Sequence, residues 1–286
     1  RAVCSGPGVT RRCWIHRTMS GRRIRQRAPW QLVALGSIGA AVFVLPLVGL
    51  ITRTPWSRLG ELVASDVVVD ALKLSLLTSV LAAFISLLLG VPLAWVLARV
   101  NFPGRHIVRA IVTLPMVLPP VVGGAALLFA LGRRGVIGEP INDATGFLLP
   151  FSVWGVVVAN VFVAMPFLVV TVEGALRNLD GRHEAAAATL GASRLTVFRR
   201  ITLPMISPSL RAGLVLAWAR ALGEFGATVT FAGNLQGRTQ TLPLAVFVAL
   251  EQDRDTAVAI SLVLVAVSLA VLLLLRDRWW SNGSTS

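Results

Sequence analysis

Long apolar runs separated by short polar segments dominate the chain. A transmembrane helix needs about 20 consecutive apolar residues to cross a hydrocarbon core of about 30 Å. Six segments approach or exceed that length: residues 30–51, 69–97, 107–131, 149–176, 207–232 and 255–275. The pattern therefore predicts an all-α integral membrane protein of about six transmembrane helices. The apolar stretch that begins at Leu242 is too short to span, and it predicts a re-entrant or interfacial helix, with a surface loop as the alternative.

Composition and the placement of charge agree with a membrane protein. Only 14% of the residues are charged and 55% are hydrophobic, whereas soluble domains carry about 25% charged residues. The net charge is +14, but the arginines lie between the apolar runs, as membrane topology requires, and do not indicate nucleic acid. With the N-terminus inside, the inner segments hold 19 Lys and Arg and the outer loops hold six. The positive-inside rule then places both termini in the cytoplasm.

These segments suggest a simple domain organisation. Residues 1–29 form a basic cytoplasmic leader, and the part before Met19 is interpreted as an upstream extension or a misannotated start. Residues 30–276 form the transmembrane domain, which includes a cytoplasmic loop over 177–205. Residues 277–286 form a cytoplasmic tail.

The sequence lacks the common catalytic motifs. Lys73, the single lysine, follows Leu72, so the glycine-rich phosphate loop of P-loop ATPases is missing. The three histidines are scattered singly and both cysteines lie in the leader, whereas a zinc site needs clustered ligands. We therefore predict that the chain has no catalytic residue, no metal site and no cofactor of its own.

The loop after the fourth apolar run has the pattern of two short helices joined by a bend. Asp180 can cap a first, alanine-rich helix from Glu184 to Leu190, which Gly191 can end in a left-handed conformation. Ser193 can cap a second helix, and Pro204 can open the next span. Such a shape suits docking on another protein, although an amphipathic connector explains the pattern equally well.

This loop resembles the EAA motif of ABC-importer permeases. The motif reads Glu-Ala-Ala, three residues, Gly, nine residues, and Ile-x-Leu-Pro, and the residues that match or flank it here are Glu184, Ala185, Ala186, Gly191, Ile201, Leu203 and Pro204. One departure is that Glu184 lies seven residues before Gly191, so Ala185 occupies the consensus glutamate position. The resemblance implies that the loop docks on an ATPase subunit and couples its closure to the membrane helices.

Ionisable and polar residues follow in the fifth run. Arg220 and Glu224 stand four residues apart, a spacing that allows them to pair on one helix face. Each is costly against lipid, so that face should look into the bundle. Beyond Gly226, the hydroxyls of Thr228 and Thr230 offer neutral donors that suit a permeating dianion. A structural Arg–Glu pair with a polar outer loop is the alternative.

The segment from Ala219 to Phe247 and the run from Thr113 to Gly123 resemble molybdate permeases, and somewhat less closely sulfate permeases. The resemblance implies a type I ABC-importer permease in the plasma membrane of a bacterial cell, where it carries molybdate or tungstate. It further implies a homodimer with two ATP-binding cassette subunits, which hold the ATP and Mg²⁺, and an extracytoplasmic molybdate-binding protein. A sulfate or thiosulfate permease and a membrane scaffold without transport are the alternatives.

Overall fold

Residues 29–280 are described here from a computed structural model. Over that range the regular secondary structure is helical, with loops between the helices and a π-helical turn at Phe198–Thr202. The helices are α1 (Trp30–Arg53), α2 (Leu59–Val63), α3 (Asp66–Arg99), α4 (Arg105–Val117), α5 (Pro120–Leu131), α6 (Gly138–Thr145), α7 (Val153–Asn178), α8 (Arg182–Thr189), α9 (Arg194–Val197), α10 (Leu203–Leu222), α11 (Gly226–Phe231), α12 (Leu242–Gln252) and α13 (Arg254–Trp280). Residues 1–28 of the predicted leader and 281–286 of the predicted tail lie outside the described range.

Five helical segments are long and apolar enough to cross a membrane. They are α1, α3, α7, the segment Arg194–Leu222 that ends with α10, and α13 through Val271. This confirms the all-α prediction. The chain divides into one unit that ends at Val48 and a second that begins at Gly49, so the first part of α1 is described by itself.

The predicted span 107–131 is two helices rather than one. Leu118 has φ −68° and ψ 135° and ends α4 in an extended conformation, because the residue before a proline is disfavoured in the helical region. Pro119 is also non-helical, and Pro120 opens α5, where its missing N–H costs nothing. The apolar pattern runs through this break without interruption, which is why hydrophobicity alone did not reveal it.

The predicted span 207–232 is likewise broken. Helix α10 ends at Leu222, and Gly223 caps it by donating its backbone N–H to the carbonyl of Ala219. After Glu224 and Phe225 the short helix α11 begins. The break places polar backbone and side-chain groups within an apolar segment, where they need partners inside the protein.

The core of the second unit forms where α3, α7 and α10 pack together. Its buried side chains are almost all aliphatic: Ala82, Val91, Ala94, Leu97, Ala164, Leu168, Val169, Val172, Leu176, Ile206, Ala217 and Ala221. Small residues on α3 and α10 allow the backbones to approach closely, as is common in membrane helix packing. In this core α7 packs against both α3 and α10.

At the Asp66 end of α3, the short apolar helix α12 packs against α3 and α13. The backbone N–H of Leu242 donates to Ser75 Oγ at 2.7 Å, which ties the start of α12 to α3. Asp253 accepts hydrogen bonds from the Thr256 hydroxyl and from the backbone N–H of Asp255, and these bonds lower the pKa of the Asp253 carboxyl. The stretch from Leu242 is therefore helical, and its position in a membrane stays a prediction.

Candidate functional site

The loop over 177–205 folds as two short helices with a glycine bend between them. Helix α8 ends at Thr189, and Gly191 has φ +81°, the left-handed conformation that glycine adopts without strain. Ser193 Oγ accepts the backbone N–H of Thr196 at 3.2 Å and so caps α9. The structure therefore gives the loop the helix–bend–helix shape that its sequence predicts.

One side of this loop is exposed. We call Ala185, Ala186, Leu190 and Leu195 the outward face, because all four are exposed. Leu190 is 87% exposed. Arg199 and Arg200, which follow α9 in the chain, are also exposed. The four residues of the outward face are apolar, and exposed arginines follow them in the sequence.

The carboxylate of Glu184 points the other way, into the molecule. Its Oε2 lies 3.1 Å from Arg99 Nη2 at the end of α3, and its Oε1 accepts the Thr202 hydroxyl at 2.7 Å. A cavity of about 440 Å³ lies between the end of α3 and the loop, lined in part by Trp95, Arg99 and Glu184. Glu184 therefore joins three elements: α8, α3 and the π-helical turn.

The remaining motif residues stand at the junction with α10. Ile201 lies in the π-helical turn and is half-buried, as is Leu203 at the start of α10. Pro204 follows in the first turn and is exposed. The loop therefore passes into α10 through a continuous helical path, which can carry a displacement from the loop into the bundle.

The structure brings Arg220 and Glu224 together, but not on one helix. Arg220 Nη1 lies 2.6 Å from Glu224 Oε2, and the Glu224 side chain is almost fully buried. The expectation that both residues share a helix face is wrong, because α10 ends at Leu222. Glu224 lies in the break and its Oε1 also accepts the backbone N–H of Ala227 at 2.7 Å. The carboxylate therefore ties the end of α10 to the start of α11.

The polar residues of α11 mostly bond within their own segment. Thr228 is fully buried and its hydroxyl donates to the carbonyl of Phe225 at 2.8 Å. The Thr230 hydroxyl donates to the carbonyl of Gly226 at 2.8 Å. In this conformation neither hydroxyl proton is free to bind an anion, and Thr228 lines no open path.

Glycines allow α11 and α5 to touch. A Cβ atom at Gly124 would lie 2.8 Å from the carbonyl oxygen of Ala227, and one at Gly226 would lie 2.9 Å from Pro120 Cβ. Both distances are too short for real carbon contacts, so only glycine fits at these positions. The second halves of the two broken helices therefore pack backbone to backbone.

Comparison with known families decides what kind of protein carries these features. Residues 90–279 match the family described as the inner membrane component of binding-protein-dependent transport systems. The chain belongs to this family. It is therefore a multi-pass inner-membrane permease component of an ABC transporter, and not the ATPase.

Individual relatives of this permease agree. The chain is 47% identical over 217 residues to the molybdenum transport system permease protein ModB of Mycobacterium tuberculosis, covering 76% of this chain and 82% of the relative. The corresponding ModB of Escherichia coli K12 is 46% identical over 182 residues, with 64% and 80% covered. The sulfate transport system permease protein CysT of Salmonella typhimurium is 37% identical over 220 residues, with 74% and 77% covered.

Solved structures support the fold of the permease. A chain from the crystal structure of a bacterial ABC transporter that imports the acidic polysaccharide alginate superposes with a TM-score of 0.70. The match covers 90% of this chain and 96% of that chain at 20% identity. At that identity the likeness concerns the fold alone.

Sequence reasoning missed two charged groups of the permease. Glu173 is buried within α7 and pairs with Arg109 of α4, while Arg177 lies 3.9 Å away on the next turn of α7. Arg99 was counted only as a topology signal, yet it pairs with Glu184. A glutamate inside the apolar run 149–176 was the available signal, because a buried carboxylate needs a partner.

Proposed function

We propose that this chain is the membrane-spanning subunit of an ATP-driven importer of molybdate, with tungstate as a related cargo. The observation that carries the proposal is the 47% identity to a molybdenum permease over most of both chains, against 37% to a sulfate permease. The helix–bend–helix loop supports a permease that a separate ATPase drives. The chain itself performs no covalent chemistry.

The outward face of the loop is proposed as the surface that docks on the ATPase subunit. Its exposed leucines, Leu190 and Leu195, offer an apolar centre, and Arg199 and Arg200 offer a basic border. Protein interfaces commonly combine an apolar centre with a polar rim. The residues proposed to couple ATPase closure to the membrane helices are Glu184, Ala185, Ala186, Gly191, Ile201, Leu203 and Pro204.

A second copy of the chain is proposed to complete the transport path. The Arg220 side chain is 29% exposed although it lies in an apolar span. A guanidinium facing lipid at the centre of a helix costs about 2.5–3.5 kcal/mol, so a water-filled path or a partner chain should cover it. A homodimer places this surface against a path, with Arg220 at its wall and with Glu224, Gly226, Thr228 and Thr230 behind it in the bundle interior.

Both termini are proposed to be cytoplasmic, which puts the loop on the same side as the ATPase. An extracytoplasmic molybdate-binding protein is proposed to deliver cargo at the opposite face. Molybdate and sulfate are both tetrahedral dianions, so most selection should occur on that binding protein.

Transport by a reconstituted complex tests the proposal. The permease, its ATPase and its binding protein are placed in liposomes, and uptake of labelled molybdate and sulfate is measured with and without ATP. We expect ATP-dependent uptake of molybdate in preference to sulfate only when the cognate binding protein is present. Greater uptake of sulfate would support a sulfate or thiosulfate permease. Absence of uptake of either anion would support a scaffold.

A further inference from the structure

The position of Glu184 on α8 sets the direction of its carboxylate. Successive residues of an α-helix are rotated by about 100° around the helix axis, so a shift of one position changes the face that a side chain occupies. Ala185 is exposed on the outward face, whereas the Glu184 side chain is 23% exposed and points toward α3. A carboxylate at position 185 would project from the surface, and the one at 184 bonds inside the protein.

Two elements hold this carboxylate from different sides. Arg99 is the last residue of α3 and its guanidinium lies 3.1 Å from Glu184 Oε2, with 26% of its side chain exposed. The buried Thr202 hydroxyl donates to Oε1 from the π-helical turn. A π-helical turn adds one residue to a helix and is frequent at functional positions. Because the pair is about three-quarters buried, water and salt screen it less than a surface ion pair.

Aromatic packing adds a second contact between the same elements. Trp95 of α3 and Phe198 of the π-helical turn meet edge to face, with ring centroids 6.4 Å apart and an interplanar angle of 80°. This aromatic contact orients α3 and the π-helical turn relative to each other. It does not position α8, because neither ring belongs to that helix. The ion pair from Arg99 to Glu184 is therefore the polar connection between α8 and α3.

We propose that Glu184 is a positioning residue that links the loop to α3 through Arg99, so that movement of the loop is transmitted to α3 as well as to α10. This inference rests on the proposed function of the loop. It assigns Glu184 a role inside the permease rather than in contact with the ATPase. In this proposal the outward face docks on the ATPase, and the Glu184 carboxylate transmits the displacement of the loop to α3.

A double-mutant cycle tests the link. Arg99→Ala, Glu184→Ala and the double variant are reconstituted with the ATPase and binding protein. Membrane abundance and ATPase co-purification should match those of the unaltered complex, because the outward face is unchanged. Each single variant should lower molybdate uptake about tenfold, which corresponds to a loss of about 1.4 kcal/mol, and should weaken the stimulation of ATP hydrolysis by the loaded binding protein. The double variant should be no worse than either single variant.

Arg105→Ala provides the matched control for this cycle. Arg105 also lies near the end of α3, but its Nη1 donates to Asn101 Oδ1 at 3.1 Å and not to Glu184. The effect of Arg105→Ala on uptake should therefore be additive with the effect of Glu184→Ala. Additive effects of Arg99→Ala and Glu184→Ala would overturn the proposal, because the two residues would then act independently.

Moving the carboxylate by one position separates the inward role from a docking role. In the variant Glu184→Ala with Ala185→Glu, the charge returns to the loop but on the outward face. We expect uptake to remain as low as in Glu184→Ala. Restored uptake, or loss of ATPase co-purification in Glu184→Ala itself, would show that Glu184 contacts the ATPase and would overturn the link. If the unaltered complex takes up no molybdate, the proposed function fails instead.

Discussion

The Nε atom of Arg109 in α4 lies 3.0 Å from Oε1 and 3.2 Å from Oε2 of Glu173 in α7, 64 positions later in the chain. Arg109 Nη2 also donates to Glu173 Oε1, so the guanidinium binds the carboxylate through two nitrogens. Two-nitrogen pairing fixes orientation as well as distance. This pair holds the first half of a broken helix against the central helix α7, near the end of the bundle that carries the loop.

Removing Arg109 should destabilise the permease. Arg109→Ala leaves the buried Glu173 carboxylate with only Arg177 near it, at 3.9 Å, and breaking a buried pair costs about 3 kcal/mol. Arg177→Ala is the matched control, because Arg177 is 55% exposed and such pairs contribute about 0–1 kcal/mol. Thermal unfolding of the purified variants in detergent measures the loss of stability in each case. Equal losses would contradict a special role for Arg109.

The Arg220–Glu224 pair should be asymmetric. Arg220→Ala leaves the almost fully buried Glu224 carboxylate without its cation, whereas Glu224→Ala leaves a guanidinium that is 29% exposed and an Ala227 N–H without its acceptor. Because an unpaired buried charge costs more than a part-exposed one, uptake and protein abundance should fall further in Arg220→Ala. The double variant should be milder than the two effects summed, because its members interact. Strict additivity in molybdate uptake would contradict the pair.

At Gly191 the backbone conformation, rather than space, should decide the effect of substitution. No atom lies within 4 Å of a Cβ built there, and φ is +81°. Asparagine tolerates this conformation best among the residues with side chains, alanine less, and valine least, with strain of about 1–3 kcal/mol. Uptake should therefore be highest for Gly191→Asn, lower for Gly191→Ala and lowest for Gly191→Val, while membrane abundance stays normal. An order that follows side-chain size, with Ala mildest, would indicate a contact surface instead.

Gly124 tests the packing of α5 on α11. A Cβ there would lie 2.8 Å from the Ala227 carbonyl oxygen and 2.9 Å from its Cα, so Gly124→Ala must shift backbone and should cost about 1–3 kcal/mol. Gly174→Ala in α7 is the control, because no atom lies within 4 Å of its added Cβ and alanine favours a helix by about 1 kcal/mol. The midpoint temperature of thermal unfolding should fall for Gly124→Ala and should stay the same or rise for Gly174→Ala. Similar midpoints for both variants would contradict the close contact.

Reporter fusions test the proposed orientation. A phosphatase joined after Arg276 should be inactive and a fluorescent protein there should be bright, because the positive-inside rule makes that end cytoplasmic. A phosphatase joined after Gly135, in a predicted outer loop, should be active. An active phosphatase after Arg276 would reverse the orientation.

Apolar run length was sufficient to predict an all-α membrane protein, because lipid excludes unpaired backbone and leaves few architectures. It did not locate the breaks at Leu118 and Gly223, where the sequence stays apolar while proline or glycine ends the helix. Local spacing was enough to suggest that Arg220 and Glu224 pair, although the expected common helix was wrong. No local pattern could join Arg109 to Glu173 or Arg99 to Glu184, because tertiary packing brings those partners together. Motif spacing alone did not reveal that the Glu184 side chain points toward α3.

The length of α3 has one further consequence. Its 34 residues make a rod of about 51 Å at 1.5 Å per residue, longer than the hydrocarbon core. One end is tied to α12 through Ser75, and the other carries Arg99. On the proposed function, the ATPase acts at the Arg99 end of α3 and the binding protein acts on the side of Ser75. If both partners favour the same position of α3, each must raise the affinity of the other by the same factor, typically about 1–3 kcal/mol of coupling free energy.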